Sequence, residues 1–337
     1  MDLSIAGIGI VSPWGMTAQD HAFFLRADAT SPPPSPFVTA DDERIDVMYC
    51  PWIGARLSLV QRLVLMGQMA LQEALETWQA AVGDAAEAVL FLCTAAPRAG
   101  LSEEALELLT ATVRATPRLS RVVPLRGAAA AFGALSQAND VVARGQAAVV
   151  LGVDSFISVE SLTARLEKPP HDWSDAVKEH GEAAAAVLLL PHARARSLGM
   201  AIAQIHGAQI AASNSNDDND EVVDGVAMSQ VLRTLPNPGP IAMAFGQERV
   251  DPLRRNAWHL ATARNAQRFA AEQHFETLER ELGRVGAAAG VLNLAYAAAR
   301  LRHSALEPGF SPAQPFVAWA VSRDGTRGAA IGTGEGT

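Results

Sequence analysis

The two cysteines are the strongest nucleophiles that the chain contains, and the sequence around each argues against a catalytic role. Cys93 ends an apolar run that predicts a buried strand, where a thiol packs as a small hydrophobic group with a raised pKa. Cys50 lies in a predicted loop and has no histidine beside it. With only these two cysteines in the chain, a disulfide framework is not predicted and a reducing compartment is.

A second group of side chains could form a metal site or an acid–base cluster. It comprises Asp154, directly after one predicted strand, His180 and Glu182, shortly before the next, and His171 and Asp172 in the segment between them. Residues of these types at such positions more often form turns and loop hydrogen bonds than a site. We therefore interpret them as structural and expect neither a metal nor a cofactor.

Two loops are polar or rich in proline. The run from Asp217 to Asp220 offers oxygen ligands for calcium, but it lacks both the central glycine and the closing glutamate of a calcium loop. The surrounding segment, 213–221, has almost no apolar residues and predicts a solvated loop. The segment from Ala29 to Thr39 contains four prolines, which predict an extended, exposed path.

Short β-type runs alternate with alanine-rich helical runs along the chain, which is typical of a buried sheet covered by helices. The strands are predicted at Leu3–Val11, Ala88–Cys93, Ala147–Val153, Ala184–Leu190, Met200–Ile205, Pro240–Phe245, Phe316–Val321 and Ala329–Ile331. The helices are predicted at Leu57–Ala80, Ser102–Ala115, Ala128–Arg144, Gly225–Leu235, Asn256–Ala263 and Val285–Arg302. Their order predicts two consecutive α/β halves that meet near Pro191–Gly199, so we divide the chain into residues 1–195 and 196–337.

Four stretches, in order and across nearly the whole chain, resemble β-ketoacyl synthases of the thiolase superfamily. Ile5–Gly15 resembles the family's opening strand and turn, and Gly127–Asp154 resembles its nucleophile helix and the strand that follows. Ile241–Gln247 stands where the family has a strand that ends in a His-Gly-Thr turn, and Gly283–Gly290 resembles a Gly-His-x-x-Gly-Ala-Ala-Gly pattern. The resemblance implies a thiolase-like α/β fold of two similar halves in five layers, α-β-α-β-α.

The family's catalytic residues are replaced at every position that should carry one. Counting back from Gly145 places Ala128 at the nucleophilic cysteine, and the first histidine falls on Phe245. The second histidine falls on Arg284 and the lysine near Glu279. Arginine stays protonated and phenylalanine donates no hydrogen bond, so neither can serve as the histidine does. We expect no ketosynthase activity. Either Ala128 and Phe245 fill the former pocket and Glu279 pairs with Arg284, or these side chains face elsewhere and the two charges are solvated.

Composition limits the class of partner. A formal charge of −9 argues against nucleic acid, because binding to its backbone needs clustered lysine and arginine. Neither a membrane span nor a secretory signal is predicted, and we expect a cytoplasmic protein. The resemblance implies a dimer across the strand before the nucleophile helix, Leu119–Pro124, and we expect a homodimer, with a heterodimer as the alternative.

Three functions are compatible with these residues. In our first interpretation the chain is a pseudoenzyme that acts as a protein-binding adaptor or chaperone, because it resembles thiolase-like proteins encoded near type VI secretion effectors. Its partner is then an effector or a spike component. Alternatively it is the silent subunit, similar to a chain-length factor, of a heterodimeric ketosynthase in fatty acid or polyketide synthesis, with an active ketosynthase or an acyl carrier protein as partner. An enzyme with relocated chemistry has no Ser-His-Asp or Cys-His spacing to support it.

Overall fold

The computed structural model describes residues 1–24, 35–39, 41–42, 44–83, 87–166, 180–212, 225–247, 252–303, 311–322 and 324–335. The strands are β1 (Leu3–Val11), β2 (Ala88–Thr94), β3 (Leu119–Arg126), β4 (Ala147–Ser155), β5 (Glu182–Pro191), β6 (Ala203–Ala212), β7 (Ile241–Gly246), β8 (Phe269–Thr277), β9 (Pro315–Val321) and β10 (Thr326–Gly334). The helices are α1 (Ala18–Phe24), α2 (Leu59–Val82), α3 (Glu103–Arg114), α4 (Ala130–Ala143), α5 (Val159–Leu166), α6 (His192–Ser197), α7 (Val226–Thr234), α8 (Pro252–Arg264), α9 (Glu279–Leu282) and α10 (Ala289–Arg302).

The strand order repeats in the two halves of the chain. The described strands form one sheet in the order β3-β2-β4-β5-β1-β6-β10-β9-β7-β8. The first five strands follow the order 3-2-4-5-1, and the last five, taken from the opposite edge inward, follow the equivalent order 8-7-9-10-6. The halves join where Leu3–Ile5 of β1 pairs antiparallel with Ala203–Ile205 of β6. The predicted division after residue 195 falls within α6, between β5 and β6.

Helices cover both faces of each half-sheet. Helices α4 and α10 contact strands of both halves and lie between them, in a core that includes Ala128 and Phe245. Helices α2 and α3 pack on the other face of the first half, and residues of α7 and α8 pack on that of the second. The layers are therefore α, β, α, β and α, as the sequence predicts. No helix among the described residues is long and apolar enough to cross a membrane.

Most predicted elements are confirmed within a few residues, and several shorter elements were missed. β1 has its predicted bounds, whereas β6 begins at Ala203 and continues to Ala212, well beyond the predicted Met200–Ile205. The helix predicted from Val285 begins its regular α-helical part at Ala289. The elements without a prediction are α1, α5, α6, α9 and β8. Residues 29–34 of the proline-rich segment, and all of 213–221, lie outside the described residues.

A buried ion pair ties α2 to β5. The Glu182 carboxylate is fully buried and binds the Arg62 guanidinium through Nε at 2.9 Å and through Nη2. It also accepts hydrogen bonds from the Ser155 hydroxyl at 2.9 Å and from the Cys50 amide at 2.7 Å. Arg62 in turn donates to the Gly54 carbonyl at 3.0 Å. Every strong polar group at this junction therefore has a partner.

A buried histidine holds the turn after β1. His21 Nε2 lies 2.5 Å from the Ser12 hydroxyl, and Nδ1 lies 2.7 Å from the Thr17 carbonyl oxygen. With Nδ1–H donating to Thr17, the neutral ring accepts the Ser12 proton at Nε2. Burial lowers the pKa of His21 to about 4. The fold therefore favours the neutral imidazole.

We predict that the Arg62–Glu182 pair is strongly coupled, so that removing both partners costs clearly less than the sum of the costs of removing each one alone. Glu182→Ala should lower the free energy of unfolding by about 3–5 kcal/mol, because it leaves a buried arginine without its counter-charge. The Arg62→Met/Glu182→Met double variant should lose clearly less than the sum of the single variants Arg62→Met and Glu182→Met. Urea denaturation measures these differences. Glu103→Ala, which breaks the exposed pair with Arg126, is the control and should cost at most about 1 kcal/mol. Additive single losses would contradict the prediction.

We predict that His21 makes stability depend on pH. Because its folded pKa of about 4 lies below the ordinary value of 6.5, its contribution is present above pH 6.5 and is lost as pH falls toward 4. Between neutral pH and pH 5 the wild-type protein should lose about 2 kcal/mol relative to His21→Gln. Burial also raises the pKa of nearby Glu73 to about 7, but Glu73 titrates in both proteins and cancels in the difference. Parallel pH profiles of the two proteins in denaturant titrations would refute the prediction.

Candidate functional site

The turn between β3 and α4 contains the position predicted for a nucleophile. Gly127 has φ +91°, a conformation that favours glycine, and its amide donates to the Thr94 carbonyl at 2.9 Å. A Cβ at Gly127 would lie 2.5 Å from the Ser322 hydroxyl oxygen, so the turn has no space for a side chain there. Ala128 follows and is buried. The structure therefore places Ala128 two residues before the first residue of the central helix α4.

The N-terminus of α4 receives its hydrogen-bond acceptor from the far end of the chain. The Ala129 amide donates to the Ser322 hydroxyl oxygen at 2.8 Å, and Ala129 itself offers no side-chain cap. Ser322 is buried in the turn between β9 and β10. A helix N-terminus attracts negative charge, whereas the group that binds the Ala129 amide here is the neutral hydroxyl of Ser322. The sequence gives no signal for this contact, which spans 193 residues.

Helix α10 closes the other side of this turn. A Cβ on Gly290 would lie 2.2 Å from the Ala128 carbonyl oxygen and 2.9 Å from the Ala131 Cβ. Glycine at this position therefore lets the two central helices approach until backbone touches backbone. Ala128 is enclosed by α10 and by the β9–β10 turn.

Phe245 occupies the end of β7 with its ring in the central core. The side chain is buried and meets two other rings edge-on, Tyr296 at 5.9 Å and Phe316 at 6.2 Å between centroids. These rings belong to α10 and β9. Aromatic rings in such contacts fill space and exclude water but exchange no protons. Phe245 and Ala128 belong to the same apolar core.

Glu279 is buried, whereas Arg284 is exposed. The Gln247 side-chain amide donates to the Glu279 carboxylate at 2.9 Å, and its oxygen accepts the Val321 amide at 2.6 Å. Gln247 thus connects the end of β7 with β9 and α9. Arg284 takes part through its backbone, since its carbonyl accepts the Gly181 amide at 3.1 Å. The ion pair expected between Glu279 and Arg284 stays a prediction.

Asp154 anchors the segment that precedes α10. Its carboxylate binds the Arg98 guanidinium at 2.6 Å and accepts the Ala287 amide at 2.9 Å. Gly286 has φ +48°, and a Cβ there would lie 2.0 Å from the Asp154 carboxylate. Arg98 also lies 4.2 Å above the Phe156 ring. The carboxylate is thus saturated by protein groups and fixes the course of this segment.

The other candidate residues occupy structural positions or lie outside the described residues. His180 pairs in a short β-bridge with Arg284, and its ring lies edge-on to Phe156 at 5.8 Å. His171, Asp172 and the segment 217–220 are outside the described residues. Within the described ranges, no three His, Cys, Asp or Glu side chains are grouped to hold a metal.

Both cysteines are buried and free. Burial raises the pKa of Cys93 to about 12. Burial and the nearby Glu182 carboxylate raise the pKa of Cys50 well above its usual range. Cys50 Sγ lies 3.9 Å from the Met66 sulfur. A thiol in either environment stays protonated near neutral pH, so neither cysteine offers a nucleophilic thiolate.

Several solved ketosynthase structures share this fold, although no protein-family model and no curated protein matches the sequence. The ishigamide ketosynthase/chain length factor superposes with a TM-score of 0.73 at 17% identity, over 100% of both chains. A type II polyketide synthase acyl-carrier protein in complex with its ketosynthase bound to the hexaketide gives 0.71 at 13% identity, over 98% of this chain and 99% of that one. The ketosynthase from module 1 of the bacillaene synthase of Bacillus amyloliquefaciens gives 0.68 at 14% identity, over 99% and 76%. The chain therefore has the ketosynthase fold, and the thiolase-like fold predicted from the sequence is confirmed.

Proposed function

We propose that this chain is a non-catalytic subunit with a ketosynthase fold, which pairs with an active ketosynthase in a complex that extends acyl chains. The observation that carries the proposal is the N-terminus of α4. It has alanine at the position predicted for the nucleophile, and the hydroxyl oxygen of Ser322 already binds its amide. The chain has the ketosynthase fold over its whole length but lacks that nucleophile, which favours a role in binding rather than in catalysis.

The chemistry of chain extension supports this proposal. A ketosynthase needs a thiolate to hold the acyl chain and neutral groups that donate hydrogen bonds to the developing enolate and oxyanion. Alanine at position 128 cannot form a thioester, and the Phe245 ring cannot donate a hydrogen bond. Arg284 stays charged and faces solvent, so it cannot supply a neutral acid or base.

The structurally similar proteins favour a ketosynthase, rather than a secretion effector, as the partner of this chain. One of them is described as a ketosynthase/chain length factor, and it matches this chain over the full length of both. Another is a ketosynthase bound to an acyl-carrier protein. The alternative, an adaptor for a type VI secretion effector, has no support among the described contacts or the printed structural neighbours. The silent subunit is therefore the better-supported function.

Chain-length factors usually have glutamine at the nucleophile position, whereas this chain has Ala128. Arg126 is the nearest polar residue in sequence, so its contacts decide whether it could replace that glutamine. Arg126 stands two residues before Ala128, and its guanidinium donates to the Thr94 hydroxyl at 2.6 Å and to the Ala95 carbonyl at 3.2 Å. It also pairs with Glu103 at 2.6 Å. These bonds direct it toward β2 and α3. Arg126 therefore does not replace that glutamine, and Ala128 leaves the position without a polar side chain.

We predict that the purified chain forms no acyl-enzyme. After incubation with acetyl- or malonyl-coenzyme A, intact-mass spectrometry should detect no adduct, because both thiols are buried and protonated and the Ser322 hydroxyl has no described base beside it. Release of carbon dioxide from malonyl-coenzyme A should equal that of buffer. An active ketosynthase is the positive control. An adduct that peptide mapping assigns to Ser322 or Cys93, and that Ser322→Ala or Cys93→Ala removes, would overturn the non-catalytic proposal.

We predict that the tagged chain, purified from its native host, carries a ketosynthase or an acyl carrier protein with it. Quantitative mass spectrometry against a tag-only control measures this enrichment. A ketosynthase partner should be present in about equimolar amount, because a dimer of two ketosynthase folds buries a large interface. Enrichment of a secretion effector or a spike component instead would sink the silent-subunit proposal and establish the adaptor interpretation.

A further inference from the structure

Two polar side chains hold the end of β9 and the turn that follows it. The Gln247 side-chain oxygen accepts the Val321 amide at 2.6 Å, and the Ser322 hydroxyl oxygen accepts the Ala129 amide at 2.8 Å. All four residues are buried. Because Val321 and Ser322 are consecutive, one short stretch of chain is bound to the end of β7 and to the start of α4 at the same time. A buried amide that loses its acceptor costs free energy, so neither bond breaks without a penalty.

Gln247 uses both ends of its side-chain amide. Its nitrogen donates to the buried Glu279 carboxylate at 2.9 Å, while its oxygen binds the Val321 amide. A carboxylate accepts hydrogen bonds and a backbone amide donates them, so this orientation of the glutamine amide is the one that satisfies both partners. The bond from β7 to β9 is therefore coupled to α9, to which Glu279 belongs.

The hairpin of β9 and β10 lies directly on the backbone at the start of α4. A Cβ at Gly127 would lie 2.5 Å from the Ser322 hydroxyl oxygen. A Cβ at Gly328 of β10 would lie 2.6 Å from the Phe132 ring and 3.2 Å from the Ala129 carbonyl oxygen. Surfaces packed as closely as these move between discrete arrangements and do not deform gradually. The hairpin is therefore either seated on α4 or separated from it.

We infer that Gln247 and Ser322 form a lock, which opens only as a unit and keeps the position of Ala128 closed to molecules from solvent. The unit comprises the end of β9, the turn after it, the start of α4 and, through Glu279, helix α9. Its two bonds open together because the groups that they hold belong to consecutive residues of one chain. The inference goes beyond the proposed function, since it concerns the closure of the site and is independent of the partner.

A cysteine introduced by Ala128→Cys reports on the lock. Both native thiols are buried, and a thiol at the start of a helix is readily ionised, so access alone should limit its alkylation by iodoacetamide. Mass spectrometry with peptide mapping measures the rate for Ala128→Cys alone and in combination with Ser322→Ala or Gln247→Leu. The matched control is Ser229→Ala, which removes a hydroxyl that is buried to the same degree and donates to the Gly225 carbonyl at 2.7 Å, in the outer helix α7. Thermal unfolding confirms that each variant is folded.

The introduced thiol should react slowly in Ala128→Cys alone and about tenfold faster with Ser322→Ala or Gln247→Leu, because the loss of a buried hydrogen bond shifts the opening equilibrium by about that factor. Ser229→Ala should leave the rate unchanged. Alkylation of Ala128→Cys as fast as that of free cysteine would overturn the inference. Equal rates in Ala128→Cys with and without the two lock substitutions would also overturn it, as would an equal acceleration by the control.

Amide hydrogen exchange tests the lock in chains without the introduced thiol. Ser322→Ala removes the acceptor of the Ala129 amide alone, and Gln247→Leu removes that of the Val321 amide alone. If the two bonds open as a unit, each variant should accelerate the exchange of both amides, again by about tenfold. Acceleration confined to the amide that lost its own acceptor would refute the lock. Neither measurement needs a partner or an acyl substrate, so a failed lock leaves the proposed function standing, and co-purification of a secretion effector leaves the lock standing.

Discussion

The buried carboxylate of Glu182 is the constraint around which the first half of the molecule is arranged. A charge removed from water must be fully compensated, and here one arginine, one hydroxyl and one amide do so together. Those groups belong to α2, to the end of β4 and to the loop before α2. A single side chain thus fixes the positions of three elements that the chain visits far apart in sequence.

The neighbouring residue, Asp154, extends this arrangement to the centre of the molecule. Ser155 turns toward Glu182, while Asp154 binds Arg98 and the amide of Ala287 just before α10. Helix α10 in turn covers Ala128 at Gly290. Asp154 and Glu182, which the sequence analysis considers as part of a metal or acid–base cluster, therefore fix the elements around the candidate site. The site itself is apolar.

The sequence predicts β4 and β5, whose burial is nearly complete, and misses β8, most of which is exposed or only partly buried. β4 and β5 are buried almost along their whole length, so their apolar runs leave a clear pattern. β8 carries Glu272, Gln273 and His274 on an exposed irregular stretch, and neither a helical nor a strand period appears there. α10 begins late because Gly286 has a left-handed φ and Asp154 occupies the space beside it. Counting from Gly145 places Ala128 at the start of α4, but the position of Ser322 depends on tertiary packing that no local pattern encodes.

The contact between Ala129 and Ser322 also sets an order of assembly. The turn before α4 belongs to the first half, but its hydrogen-bond acceptor lies 193 residues later, in the last hairpin of the described chain. Contacts of such sequence separation form late, because the intervening chain must first lose its freedom. During synthesis the first half can collapse around Glu182, yet the start of its central helix stays uncapped until the final strands have been made.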